Sequence, residues 1–215
     1  MMSLTPVAHI LGRLVLLLGG FMVFPALLDH LMANGNAGAM LQSALVTTGI
    51  GALVTLATAG QLQRGFDLRS AFLLTLGIWL ILPMFAALPF MLGAPGLDFT
   101  RAYFEATSGM TTTGSTVIVG LTRLPEGMNL WRGMLNWLGG LGIAFIAMIF
   151  LPVMQVGGMQ FFKTEGFDTF GKVLPRASDI ALSLLGVYAG LTLACLITYK
   201  ALGMGALDAV VHAFA

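Results

Sequence analysis

Glu105-Ala106-Thr107-Ser108-Gly109-Met110-Thr111-Thr112-Thr113-Gly114-Ser115-Thr116-Val117-Ile118 is the stretch on which the reading of this chain turns. Its first residues close a run, Phe99 to Ser108, that reads as a short helix with Asp98 as candidate N-cap. Such a helix cannot cross a bilayer, which takes ~20 apolar residues. From Gly109 to Gly120, five threonines and serines with three glycines make a poor membrane helix and a poor sheet. A short helix followed by irregular backbone, set between apolar runs, has the form of a re-entrant pore loop. At membrane depth such backbone is tolerated only where it lines a polar cavity or is buried in protein. The chemistry suits a cation leaving water. Extended backbone presents carbonyl oxygens, threonine hydroxyls add more, and Gly114 can take a positive φ angle. No acidic residue lies between Thr107 and Thr122, so the donors are neutral, which favours a monovalent ion such as K⁺. The same residues also read as a threonine-rich surface loop.

The rest of the chain sets that loop in a membrane. Of 215 residues, 58% are hydrophobic and 9% charged, and the mean hydropathy is +0.94. A disordered chain, a nucleic-acid-binding domain and an ordinary soluble enzyme are all excluded by these values. Five windows are apolar enough to span: Ile10–His30, Ala37–Gln63, Ser70–Leu92, Gly133–Met154 and Ile180–Tyr199. The first is too long for a secretory signal core and lacks a cleavage site. With the N-terminus inside, Arg13, Arg64, Arg69, Lys163, Lys172 and Arg176 are cytoplasmic, against Arg101, Arg123, Arg132 and Lys200 outside. Basic residues on the cytoplasmic side favour this orientation. Pro25, Pro83 and Pro89 read as kinks.

Other residues are read plainly. Cys195, the only cysteine, is a small packing residue in an apolar run and cannot form an internal disulfide. His9, His30 and His212 lack metal-ligand spacing. Neither a Gly-x-Ser-x-Gly elbow nor a His-Glu-x-x-His pair occurs, so no enzyme is expected. The Gly-rich run Trp137 to Gly142 and the pair Gly49 and Gly51 lie in spans and read as close helix packing. Glu105 is the only acid in the short helix. It can bond the loop backbone from behind, pair with Arg101, or face the outer mouth. Asp98 and Glu126 make that mouth attractive to cations, and Arg101, Arg123 and Arg132 oppose them. The stretch Gln155 to Asp179 reads as a solvated loop or a contact surface for a regulatory subunit.

The Glu105–Ile118 segment resembles the first selectivity filter of the Trk/Ktr/HKT potassium transporters, and of their TrkH type in particular. Leu124-Pro125, Trp137-Leu138-Gly139-Gly140-Leu141-Gly142-Ile143, Leu151-Pro152-Val153 and Gly157-Gly158-Met159-Gln160 extend the likeness over nearly the whole chain. The resemblance implies an all-α polytopic membrane protein. Two N-terminal transmembrane helices precede a potassium-channel-like helix–pore loop–helix repeat and the first helix of a second repeat. It implies four such repeats around one pore, K⁺ coordination by Thr112 and Thr113, Gly114 as the filter glycine with Ser115 beside it, and Glu105 as support in the pore helix. It further implies K⁺ as transported ion with no cofactor, a homodimer in the inner membrane, and a cytosolic nucleotide-binding regulatory subunit of the TrkA type.

An internal comparison points the same way. Leu97-Asp98 with Phe104 recurs as Leu207-Asp208 with Phe214, and Leu92-Gly93 recurs as Leu202-Gly203, both at an offset of 110 residues. The expected division is a helix pair over 1–66, a first repeat with its cytoplasmic loop over 67–176, and the start of a second repeat over 177–215. The offset puts a second filter near 222–225, beyond Ala215, so the chain reads as the N-terminal portion of a transporter. A short subunit that tetramerises and a non-conducting membrane scaffold are the other readings.

Overall fold

The computed structural model describes residues 4–61, 68–154 and 177–215. Within these residues all regular structure is helical. Helices α1 (Thr5–Phe21) and α2 (Val23–Leu31) form one kinked span, and α3 (Ala37–Thr58) returns beside them, followed by a 3₁₀ turn over Ala59–Gln61. Next come α4 (Leu68–Ala86), α5 (Leu88–Leu92), the short α6 (Phe99–Met110) and α7 (Glu126–Met154). Helices α8 (Ala177–Ala201) and α9 (Ala206–Phe214) complete the order. Four stretches among the described residues are long and apolar enough to cross a membrane: Thr5–Leu31, Ala37–Thr58, Arg69–Leu92 and Ala181–Ala201. The window Gly133–Met154, expected as the fourth span, lies within α7, which is not among these four stretches. Helix α7 begins at Glu126 and carries Arg132 inside it, where Glu105 neutralises the charge.

The N-terminal hairpin is packed through small residues, because two backbones can approach closely only where side chains are minimal. A Cβ at Gly12 would stand 2.9 Å from Val54 and Thr55 on α3. One at Gly19 would stand 2.7 Å from Thr48, and one at Gly51 would run into the Leu16 backbone. Gly49, expected to share that role, faces open space. The half-buried Thr48, Thr55 and Thr58 hydroxyls donate back to carbonyls of their own helix.

Pro25 and Pro89 lie beside helix breaks, whereas Pro83, also expected as a kink, sits inside the continuous α4. Pro25 lies three residues after the break at Met22. Pro89 lies just after the break at Ala87, where the chain tightens so that the Phe90 N–H bonds the Ala87 carbonyl. The Ala86 carbonyl thereby loses its helical donor, and the fully buried Trp131 indole N–H of α7 supplies one at 3.1 Å.

Asp29, fully buried at the end of α2, ties this hairpin to the rest. Its carboxylate accepts from the Asn34 side chain at 2.6 Å, the Asn36 side chain at 2.8 Å and the Gly127 backbone N–H at 2.6 Å. Asn36 in turn accepts from the Ala94 N–H, in the turn before α6, at 2.9 Å. Asn34 also donates to Glu126 at 2.8 Å. That bond first, and one from its own backbone second, hold the Glu126 carboxyl below its ordinary value of 4.5. A depressed folded-state pKa contributes stability above the unfolded value and loses it as pH falls through the folded one. Glu126→Gln is therefore expected to lower the melting midpoint slightly at neutral pH. The difference should vanish in acid below the carboxylate range, as followed by thermal unfolding in detergent.

Helix α8 has a largely exposed surface, and Cys195 is exposed on it rather than packed. Trp137 joins α7 to α8 and α9. Its indole donates to the Thr192 hydroxyl at 2.9 Å, its carbonyl accepts from the Tyr188 hydroxyl at 3.1 Å, and its ring meets Phe214 at 5.6 Å. Helices α8 and α9 echo α4 to α6 as a long helix, a turn and a short helix. Their caps differ: Asp98 caps α6, whereas Gly205 holds that place before α9 and Asp208 sits in its first turn. Gly205 stands 107 residues after Asp98, three short of the offset in sequence.

Candidate ion-binding site

Helix α6 starts where its sequence says it should. The Asp98 side chain accepts from the Arg101 N–H at 2.8 Å, and its carboxylate lies 3.8 Å from the exposed Arg101 guanidinium. The helix ends in a Schellman-type cap. Thr112 N–H bonds the Gly109 carbonyl at 2.9 Å, and Thr113 N–H bonds the Ser108 carbonyl at 3.0 Å. This cap requires a left-handed residue, and Thr112 takes it with φ 56°. A β-branched residue there costs ~1–2 kcal/mol, strain of a kind that collects at functional sites. Gly114 follows at φ 74°.

From Thr112 to Val117 the chain is exposed. Among the described residues no hydrogen bond occupies the carbonyls of Thr112, Thr113 or Gly114. They lie at the C-terminal end of α6, where the aligned peptide dipoles present partial negative charge. Free carbonyls at a negative helix end form an arrangement that suits a cation.

The segment is held from behind. Ser108 donates to the Ser115 carbonyl at 2.7 Å. Glu105, 3% exposed, accepts from the Thr116 hydroxyl at 2.9 Å and the Val117 N–H at 3.0 Å. Thr116 in turn accepts from the Ile118 N–H at 3.1 Å. Of the three environments open to Glu105 in sequence, the structure displays the contact with the loop backbone, while Arg101 pairs with Asp98 instead. Arg132 of α7 completes the group, its Nε 2.8 Å from Glu105. In sequence it reads as a charge opposing cations at the mouth. It is instead turned inward, with its side chain 21% exposed. Residues 105 and 132 stand too far apart in sequence for any helical spacing rule to connect them.

Helix α7 presses closely on the end of α6. A Cβ at Gly139 would run into the Met110 carbonyl oxygen and stand 2.6 Å from its carbon, and one at Gly140 would stand 2.7 Å from the Tyr188 hydroxyl. Gly142, in the same glycine run, faces open space. Among the described residues no cluster of acids, histidines and cysteines could hold a resident metal ion. The stretch from Gln155 to Asp179, considered for a regulatory contact, lies almost wholly outside the described residues.

Residues 39–211 match the family model described as TrkH, cation transport protein. The chain belongs to the TrkH family. It is 39% identical over 208 residues to the Trk system potassium uptake protein TrkI of Halomonas elongata, covering 97% of this chain and 42% of that protein. It is 37% identical over 220 residues to the Trk system potassium uptake protein TrkH of Escherichia coli K12, covering 100% of this chain and 45% of that protein. The crystal structure of the potassium transporter TrkH from Vibrio parahaemolyticus superposes with a TM-score of 0.86 at 32% identity, over 99% of this chain and 42% of that one. The chain thus spans under half the length of these TrkH-family relatives. The all-helical architecture read from the sequence matches the Vibrio parahaemolyticus TrkH structure.

Proposed function

We propose that this chain supplies the N-terminal part of a potassium uptake transporter of the bacterial inner membrane, with its N-terminus cytoplasmic and residues 112–115 as one strand of the selectivity filter. The observation that carries this reading is the set of free Thr112, Thr113 and Gly114 carbonyls at the negative end of α6. A dehydrated K⁺ needs oxygens on all sides, and neutral carbonyls supply them without binding the ion too tightly to release it. One strand offers a quarter of such a cage, so the remaining strands come from the other repeats of the pore. Transport then involves no covalent chemistry. Its driving force is the membrane potential or a coupled ion.

The test is a chimera in which residues 1–215 replace the matching part of Escherichia coli TrkH, expressed in cells lacking their own potassium uptake. The chimera is expected to restore growth at low K⁺, and Gly114→Val to reduce uptake at least tenfold at equal membrane abundance. A Cβ at Gly114 meets nothing within 4 Å, so the substitution acts on the backbone angle and not on packing. Unchanged uptake by the variant would overturn the filter assignment and leave the segment a loop.

A further inference from the structure

Glu105 is bound on one side by the filter segment and on the other by Arg132. The Arg132 Nε reaches Oε1 at 2.8 Å, the oxygen that also accepts from Thr116 at 2.9 Å, while Oε2 takes the Val117 N–H at 3.0 Å. One carboxylate therefore joins α6, α7 and the exit of the Thr112–Ser115 strand. A carboxylate free to rotate could satisfy Thr116 and Val117 in several ways. One fixed by a guanidinium from a second helix has a single orientation, and charge-assisted bonds of this length are the strong kind. Nearby lies a cavity of about 40 Å³, lined by Glu105, Ser108, Gly114, Arg132 and Asn136 among others. The space beside the strand is thus not filled by packing, and on this side polar bonds hold the strand in place. Among the described residues the buried Asn136 Oδ1 has no partner, so past the cap bonds of Thr112 and Thr113 the strand is tied by Ser108 and the Glu105–Arg132 pair.

We propose that Arg132 is a positioning residue for ion selection, which acts through Glu105 to fix the Thr116–Val117 peptide and hence the spacing of the carbonyls before it. This rests on the filter reading above. Carbonyl cages distinguish K⁺ from a smaller cation through the number and placement of their oxygens. Without the Glu105 tie, the part of the strand past the Thr113 cap is held by Ser108 alone and could close inwards on Na⁺. Arg132 therefore governs which ion passes more than how much protein folds. A lysine at this position keeps the charge but loses the planar donor that sets the carboxylate's orientation.

The experiment uses the chimera, three single variants, Arg132→Gln, Arg132→Lys and Glu105→Gln, and the double variant Glu105→Gln with Arg132→Gln. Two readouts are taken, competition of Na⁺ against rubidium uptake, and amide hydrogen exchange of the peptide spanning residues 112–118 in purified protein. Arg132→Gln and Glu105→Gln are each expected to reduce discrimination against Na⁺ about tenfold and to speed exchange at Val117. The double variant should do no more than either single one, because the two residues act as a unit. Arg132→Lys should recover part of both effects. If Arg132→Gln leaves discrimination and Val117 exchange at the level of the parent chimera, the proposal is overturned. Additive effects in the double variant overturn it as well. A parent chimera that takes up no rubidium defeats the filter reading instead. In that case Val117 exchange still reports whether Arg132 fixes the strand, and unchanged exchange in Arg132→Gln rejects that too.

Discussion

Gly139→Ala in the chimera is expected to abolish potassium uptake while the protein still reaches the membrane. The added methyl group meets the Met110 backbone, which cannot rotate away as a side chain could. Overpacking of this kind costs ~1–3 kcal/mol when side chains can adjust. Against backbone the outcome is displacement of the end of α6 from α7. Met110 is followed directly by the Thr111–Thr113 cap, so even a shift of about an ångström reaches the carbonyls that would face the ion. Gly142→Ala, three residues on, is the matched control. Its Cβ meets nothing within 4 Å, and replacing a mid-helix glycine by alanine gains ~1 kcal/mol of helix propensity. The pair separates a local clash from a general intolerance of the glycine run. Equal loss of uptake in both variants would show that the close approach of α7 to Met110 is not what matters.

Asp29→Ala should have the largest effect on stability. Removing the carboxylate strands two buried donors, the Gly127 N–H and the Asn36 side-chain amide, while the exposed Asn34 amide keeps its bond to Glu126. A buried donor left unsatisfied costs ~1–3 kcal/mol, so the two together amount to ~2–6 kcal/mol. The consequence is separation of the N-terminal hairpin from the start of α7 and from the turn before α6. Thermal unfolding in mild detergent measures it, and limited proteolysis in the 32–36 loop locates it. Asp29→Asn should lie between, since an amide keeps one acceptor but sets its own donor against one of the three. A melting curve for Asp29→Ala that matches the parent would mean the hairpin is held by its apolar contacts alone.

Both predictions concern contacts that no local pattern in the sequence discloses. The Gly-rich run at Trp137 reads as a packing surface, but Gly139 and Gly142 are equivalent in sequence. Only the path of α6 shows which of them is crowded. Gly49 and Gly51 divide in the same way along α3. Asp29 reads as a charge near a span end, when it is a fully buried carboxylate that accepts three hydrogen bonds. Its partners Asn34 and Asn36 are near in sequence, but Gly127 is 98 residues away.

What the sequence by itself determined is everything that depends on short-range chemistry. Apolar runs of bilayer length place the spans, because lipid offers no partner for exposed backbone. Pro25 and Pro89 place the breaks, because each lacks an N–H. Asp98 starts α6, and the Thr/Gly segment ends it. The resemblance at Glu105–Ile118 and Trp137–Ile143 pointed to the family that the comparisons then showed. Only the tertiary structure decided which charges are charges in effect. In sequence Arg132 bounds the expected fourth span and reads as a charge at the mouth, because a guanidinium looks the same whether exposed or paired. Its true environment depends on where α6 lies against α7, and so does that of Glu105. Long-range pairing between helices is set by how whole faces pack, and no spacing within one helix encodes it.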